Sequence, residues 1–341
     1  MKRRLLLALP ALFPAAPLAA QQAADPPTPS SVVAAAPAGD WRAIDPADLL
    51  VMTLAPDAKG DARQVVIQLM PAPFSQPWVQ NIRTLARAHW WDGTTVYRVV
   101  DNWVAQWGDG EDDKAKAKPL PEGVVSPMGY QGRYTASLVG VLGPHGIGGQ
   151  SIRFPDLIVP SDPYARMAGF IGGWPIGVDP ASPWMDSWPI HCYASVGVAR
   201  DLHPDTGTGA ELYAVIGHAP RAVDRNIAVV GRVIEGIEHL STLPRGKGEA
   251  GVYDDPALKV PILSVRLGTE LPTASSSEAV GQQEGPPRFE YLASESDSFA
   301  RYVEVRANRD DSFYRVPAGG VDVCNVQVPI RRVASTGKVG R

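Results

Sequence analysis

The chain has 341 residues, 45% hydrophobic and only 20% charged, with Gly and Pro at 33 each. Such a composition supports a sizeable core threaded with turns and excludes long coiled coils or helical bundles. A formal net charge of −4 without any basic run excludes a general nucleic-acid binder, because neutralising phosphates requires clustered Lys and Arg.

The N-terminus opens on a basic stretch, Lys2, Arg3 and Arg4, followed by an apolar run over 5–20 that ends in Leu18, Ala19 and Ala20. A positive flank, a short apolar length and small exit residues predict a secretory signal peptide over 1–20, and the chain is expected to be exported, to a periplasmic or extracellular space. The run is too short and too Pro-interrupted to span a membrane, and no later stretch is long enough. Residues 21–40 are rich in Ala and Pro without a period and read as a flexible linker, with order expected from Trp41.

Two β-rich runs, 49–54 and 64–69, flank a turn cluster and predict a hairpin. Apolar residues at Trp78, Ile82, Leu85 and Ala86 have helical spacing and predict a helix over 76–88, with Pro77 tolerated in its first turn. Strands are expected at 94–100 and 103–106. The stretch 107–190 has many Gly and Pro and reads as a loop-rich insertion, with short strands at 133–142 and 156–159. Further strands are expected at 190–198, 211–216, 228–234 and 260–267, and a short helix at 234–240. A polar linker over 271–288 then leads to a C-terminal extension, 289–341, with a strand-like run at 321–330. Turn-separated strands without crossover helices predict a mainly β core that closes as a barrel, over about 41–270.

Most catalytic signatures are missing. The six His residues lack metal-ligand spacing, there is no HExxH, and no GxSxG precedes a helix, so neither a metal site nor a cofactor is expected. The Gly-rich run 143–149 neither follows a clear strand nor opens a helix and reads as a turn. The acidic cluster Asp109, Glu111, Asp112 and Asp113 lacks the glycine of an EF-hand loop and reads as a solvated run. Cys192 and Cys324 are either a disulfide, which export would permit, or two separate buried thiols.

The informative stretch is 92–109, DGTTVYRVVDNWVAQWGD, in which Arg98, Trp103, Gln106, Gly108 and Asp109 fall at the offsets of the cyclophilin-type peptidyl-prolyl isomerase pattern. QVVIQLMPAPFSQPWVQNIRTLA upstream, with Asn81, resembles that family's strand, proline-bearing turn and first helix. GTGAELYAVIGHAP resembles its NGSQFFI strand, and NIAVVGRVIEGIEHLSTL its closing strand and helix. The resemblance runs in order over 49–267. It implies an eight-stranded antiparallel barrel with two capping helices, and a groove on the outer face that takes proline-containing polypeptides. In that reading the protein assists the folding of exported proteins. Arg98 and Gln106 are the catalytic pair, and Trp103, Val104, Ala199, Glu211 and Tyr213 line the substrate site.

Departures from the family pattern stand at Tyr97, Val104, Arg200, Glu211, Tyr213, Ala222 and Ile227. A carboxylate at Glu211 is expected to pair with Arg98 and draw it from the prolyl nitrogen, which would weaken or narrow activity. The alternative reading is a binding module that holds proline-containing segments with little turnover.

Overall fold

The computed structural model describes residues 26–111, 113, 115–127, 162–179, 181, 186–272 and 287–333. The signal peptide, the Gly-rich run 143–149, the expected strands at 133–142 and 156–159 and most of the polar linker lie outside the described residues.

Alternation builds the first hairpin. In β2 (Leu49–Leu54) Leu50, Met52 and Leu54 turn inward, and in β3 (Arg63–Leu69) Val65, Ile67 and Leu69 do the same. With β4 (Thr95–Val99), β5 (Val104–Gly108), β9 (Ser195–Val198), β10 (Leu212–Val215), β11 (Val229–Glu235) and β12 (Val260–Leu267) these strands close an antiparallel barrel in the order β10-β5-β4-β12-β2-β3-β11-β9. Closure removes every free strand edge from this sheet. Helix α2 (Gln76–Arg87) lays Trp78, Val79, Ile82, Leu85 and Ala86 on the same core, as its spacing predicts. The second capping helix is a single turn, α3 (Glu238–Ser241), which inserts Leu240.

Three regions depart from the expectation. Residues from 26 onward are not a structureless linker. Thr28 and Ser31 form a reciprocal capping box, with Pro29 in the first turn, and start helix α1 (Pro29–Ala35). Its Val32 and Val33 pack on a small second core of Trp41, Leu292, Phe299, Tyr302, Val303 and Val326. The loop-rich insertion contains a three-stranded sheet, β6 (Met167–Ile171), β7 (Trp174–Asp179) and β8 (Asp186–Pro189), while the expected strand over 190–198 begins only at β9, after Ala194 takes a left-handed turn at φ 69°.

The C-terminal extension carries β13 (Phe289–Leu292), an unforeseen helix α4 (Asp297–Ala307) capped by Ser296, and β14 (Ile330–Arg332). Most of the strand expected at 321–330 is instead loop and a tight turn over Val323–Asn325, because the Asp322 side chain accepts from Cys324 N. β13 pairs with both β14 and β1 (Trp41–Ala43), and this sheet covers the barrel's outer face through Phe289, Ile44, Leu49, Val51 and Val66. Cys192 and Cys324 form a disulfide, which ties the extension to the loop before β9.

Candidate active site on the outer face of β4, β5 and β10

Arg98 reaches the outer face because β4 is bulged. Val96 pairs with Trp107 and Arg98 with Gln106, so Tyr97 and Arg98 together oppose one residue of β5. Val96 and Val99, three positions apart, both point into the core, and the two residues between them look outward. On β5, Ala105 and Trp107 face the core, leaving Val104 and Gln106 outside. On β10, Leu212 and Ala214 face the core, leaving Tyr213 and Val215 outside.

Arg98 Nη1 donates to Gln106 Oε1 at 2.8 Å and Nε donates to Ala250 O at 2.6 Å. Among the described residues Nη2 makes no hydrogen bond, so its N–H groups remain open to a ligand. The guanidinium stands 5.3 Å from the Trp103 ring centroid, and Trp103 is 37% exposed at the turn between β4 and β5. Burial lowers the Arg98 pKa, although a guanidinium remains cationic throughout the physiological range. Beside it Val104, Tyr213 and Val215 form an apolar patch flanked by Val100, Ala199 and Ile227.

Glu211 does not pair with Arg98. Its Oε2 accepts from the Tyr97 hydroxyl at 3.0 Å, and its Oε1 accepts from the backbone N–H of Asp109 at 2.8 Å and of Gly110 at 3.3 Å. The Tyr97 hydroxyl in turn accepts from Gln106 Nε2. A continuous chain therefore runs Arg98, Gln106, Tyr97, Glu211. Two glycines make room for it. A Cβ at Gly108 would overlap the Glu211 carboxylate, and one at Gly110 (φ +64°) would meet the Tyr97 ring at 2.8 Å. Burial raises the Glu211 pKa and outweighs the three hydrogen bonds that favour the carboxylate, and burial likewise raises that of Tyr97, reinforced by the negative charge of Glu211. Two backbone donors and a hydroxyl already hold the carboxylate, which is why it does not turn to Arg98.

Tyr213 is held from behind. Its ring lies across Gly197, where a Cβ would overlap it, and its hydroxyl is 3.0 Å from His191 Nε2. His191 is fully buried, and its Nδ1 and backbone N both lie 2.9 Å from Asp224 Oδ1. With Nδ1 donating to that carboxylate, Nε2 accepts from the Tyr213 hydroxyl. Asp224 Oδ2 accepts from Arg221 Nε at 2.5 Å, and Arg221 binds Asp162 through both Nη atoms at 2.7 and 2.8 Å. Burial works against the Arg221 charge, yet its bonds to Asp162 and Asp224 hold its pKa above the usual value. This network is not legible in the sequence: only Arg221 and Asp224 are close in the chain, and Asp162 comes from the insertion.

Of the other departures, Arg200 turns away to the backbone oxygens of Asn226 and Asp201, and Ala222 is exposed. The acidic cluster makes local bonds: Asp109 Oδ2 accepts from Lys118 N at 2.7 Å and Asp113 pairs with Lys116 at 3.0 Å. Among the described residues no group of three or more His, Cys, Asp or Glu side chains could hold a metal ion.

The profile of the cyclophilin type peptidyl-prolyl cis-trans isomerase/CLD family matches residues 61–267, which span the barrel from β3 through β12. The chain belongs to the cyclophilin-type peptidyl-prolyl isomerases. Its closed antiparallel barrel and its isomerase class agree with that membership. The crystal structure of the cyclophilin AquaCyp293 from Hirschia baltica is similar in fold, at 19% identity and a TM-score of 0.58, covering 92% of this chain and 100% of that one. A cyclophilin type peptidyl-prolyl cis-trans isomerase from Cryptosporidium parvum, solved in the presence of the dipeptide Ala-Pro, matches at 11% identity and a TM-score of 0.33, covering 64% of this chain and 98% of that one. No curated protein matches the chain significantly.

Proposed function

We propose that this isomerase acts outside the cytoplasm on proline-containing polypeptides, with Arg98 as its electrostatic catalyst and Gln106 holding that guanidinium in place. Rotation about an X–Pro bond faces a barrier of about 18–20 kcal/mol that arises from amide resonance. A cation with N–H groups directed at the prolyl nitrogen favours the twisted, pyramidal state in which resonance is lost. The observation that carries the reading is the Arg98–Gln106 bond at 2.8 Å on the outward face, with Arg98 Nη2 open beside the Val104–Tyr213–Val215 patch. Trp103 and Ala199 border the client chain, and no cofactor is required.

Export is supported by the basic and apolar stretches at 2–20 and by the disulfide between Cys192 and Cys324, a bond favoured in oxidising compartments. Fractionation of the tagged chain with N-terminal sequencing of the product tests this, with Gln21 as the expected first residue. A cytoplasmic, unprocessed product would remove the export half of the proposal.

A second reading, a binding module of low turnover, is favoured by the depth of the patch. Val104, Tyr213 and Val215 are only 2%, 5% and 0% exposed, which leaves little open surface for a proline ring. An isomerisation assay over a broad set of X–Pro peptides, free of any coupling protease, separates the two. Acceleration that falls about 10²–10³-fold in folded Arg98→Ala supports the catalyst. Binding of the same peptides without acceleration supports the module.

A further inference from the structure

A cavity of about 740 Å³ opens where the outer faces of β9 and β11, the β6–β8 sheet and the terminal segments meet. Its volume lies within the range of about 300–1,000 Å³ common to small-molecule sites. The walls are mainly apolar, with Val33, Trp174, Ile190, Val233, Tyr302 and Val326 among them. Among the described residues the charged side chains that line it are Arg232, Arg306 and Arg331, with no Asp or Glu.

Arg331 is neutralised by Glu290 at 2.5 Å. Arg232 is not neutralised: among the described residues it has no carboxylate partner. Its guanidinium lies 4.2 Å from the Trp174 ring centroid and donates to neutral acceptors, Gln68 Oε1 at 3.0 and 2.8 Å and Gly173 O at 2.7 Å. Those bonds engage three of the five N–H groups of a guanidinium. Burial pushes the Arg232 pKa down to about 9, the mark of a cation held away from water without a counter-charge.

We propose that this cavity binds an amphipathic anion, a free carboxylate on an acyl chain, with the carboxylate on Arg232 and the chain along Trp174, Val233 and Val326. The charge lacking from the site selects the head group. The apolar stretch of wall formed by Val33, Trp174, Val233 and Val326 suits an alkyl chain, against which the hydroxyls of a sugar or nucleotide would be left without partners.

The test titrates the chain with decanoate and, separately, with decan-1-ol, reading tryptophan fluorescence, since Trp41 and Trp174 line the cavity, and confirming stoichiometry by calorimetry. Saturable one-to-one binding of decanoate at least about tenfold tighter than the alcohol is expected. Arg232→Gln should erase that preference. Ala34→Trp, at an exposed position of α1 on the cavity wall, should block both ligands even where Arg232→Gln fails to fold. No saturable binding of decanoate, equal affinity for acid and alcohol, or unaltered binding in Ala34→Trp would each overturn the proposal. So would co-sedimentation with phosphatidylglycerol vesicles without decanoate binding.

Discussion

The Tyr97 hydroxyl donates to Glu211 Oε2 at 3.0 Å across the strands β4 and β10, on either side of β5. Both residues depart from the family pattern, and the contact makes them one compensated change. Tyr97 supplies the hydroxyl that a buried carboxylate needs, and it accepts the amide of the Gln106 that holds Arg98. Removing the hydroxyl in Tyr97→Phe leaves a buried acceptor short of one donor, a loss of about 1–3 kcal/mol. Denaturant unfolding of Tyr97→Phe, Glu211→Gln and the double variant gives the coupling, expected to exceed about 0.5 kcal/mol. Additive single effects would contradict the pairing.

Glu211 also predicts a pH signature. Its folded-state pKa is raised by burial, so its stabilising contribution is complete below the unfolded carboxylate range and is lost as pH rises through the folded pKa. Glu211→Gln keeps the shape and removes the charge. The stability of the variant relative to the parent should therefore improve from about pH 4 to about pH 7.5. A difference independent of pH would show that Glu211 titrates normally. Because Arg98 is not its partner, the same substitution is not expected to speed isomerisation by releasing the guanidinium.

The network behind Tyr213 is held by charges that are nearly inaccessible to water. Asp224→Ala leaves Arg221 and His191 without their shared carboxylate, and loss of about 3–5 kcal/mol is expected by chemical denaturation. His191→Gln, which can still donate to Asp224 or accept from Tyr213, should cost less. Equal losses would indicate that packing rather than hydrogen bonding sets the effect.

The disulfide closes a loop with a sequence separation of 132. A loop of that order stabilises by about 4–5 kcal/mol through the unfolded chain. Thermal melts with and without reductant, alongside Cys192→Ser/Cys324→Ser, measure it. An unchanged melting temperature in the folded double variant would mean that packing of Val323 beside Trp188 and Ile190 already secures the extension.

The barrel was legible because its strands carry period-two apolar patterns and its helix repeats Trp78, Ile82, Leu85 and Ala86. The juxtaposition of Arg98 and Gln106 was expected from the family resemblance in 92–109, and the two side chains do meet at 2.8 Å. What stayed hidden depends on partners far apart in the chain. The bulge at Tyr97 shows only when Val96 and Val99 are both seen facing inward. Opposite charges invite a pairing of Glu211 with Arg98, whereas the backbone N–H groups of Asp109 and Gly110 that hold the carboxylate leave no trace in a residue list. Helix α4 has a Ser296 cap and helical spacing at Phe299, Tyr302 and Val303, but the core it packs on includes Trp41, far away in the chain.

The β1–β13–β14 sheet also imposes a timetable on assembly. Trp41 pairs with Leu292, so β1 emerges first and waits about 250 residues for its partner. Every barrel strand is synthesised in that interval, and closing so long a loop is slow compared with forming the β2–β3 hairpin. The barrel can thus close before its outer cover arrives, with Leu49, Val51 and Val66 left bare in the meantime. A chain truncated before Phe289 would keep its groove residues yet retain that apolar face permanently, and would be expected to aggregate rather than merely to lose an appendage.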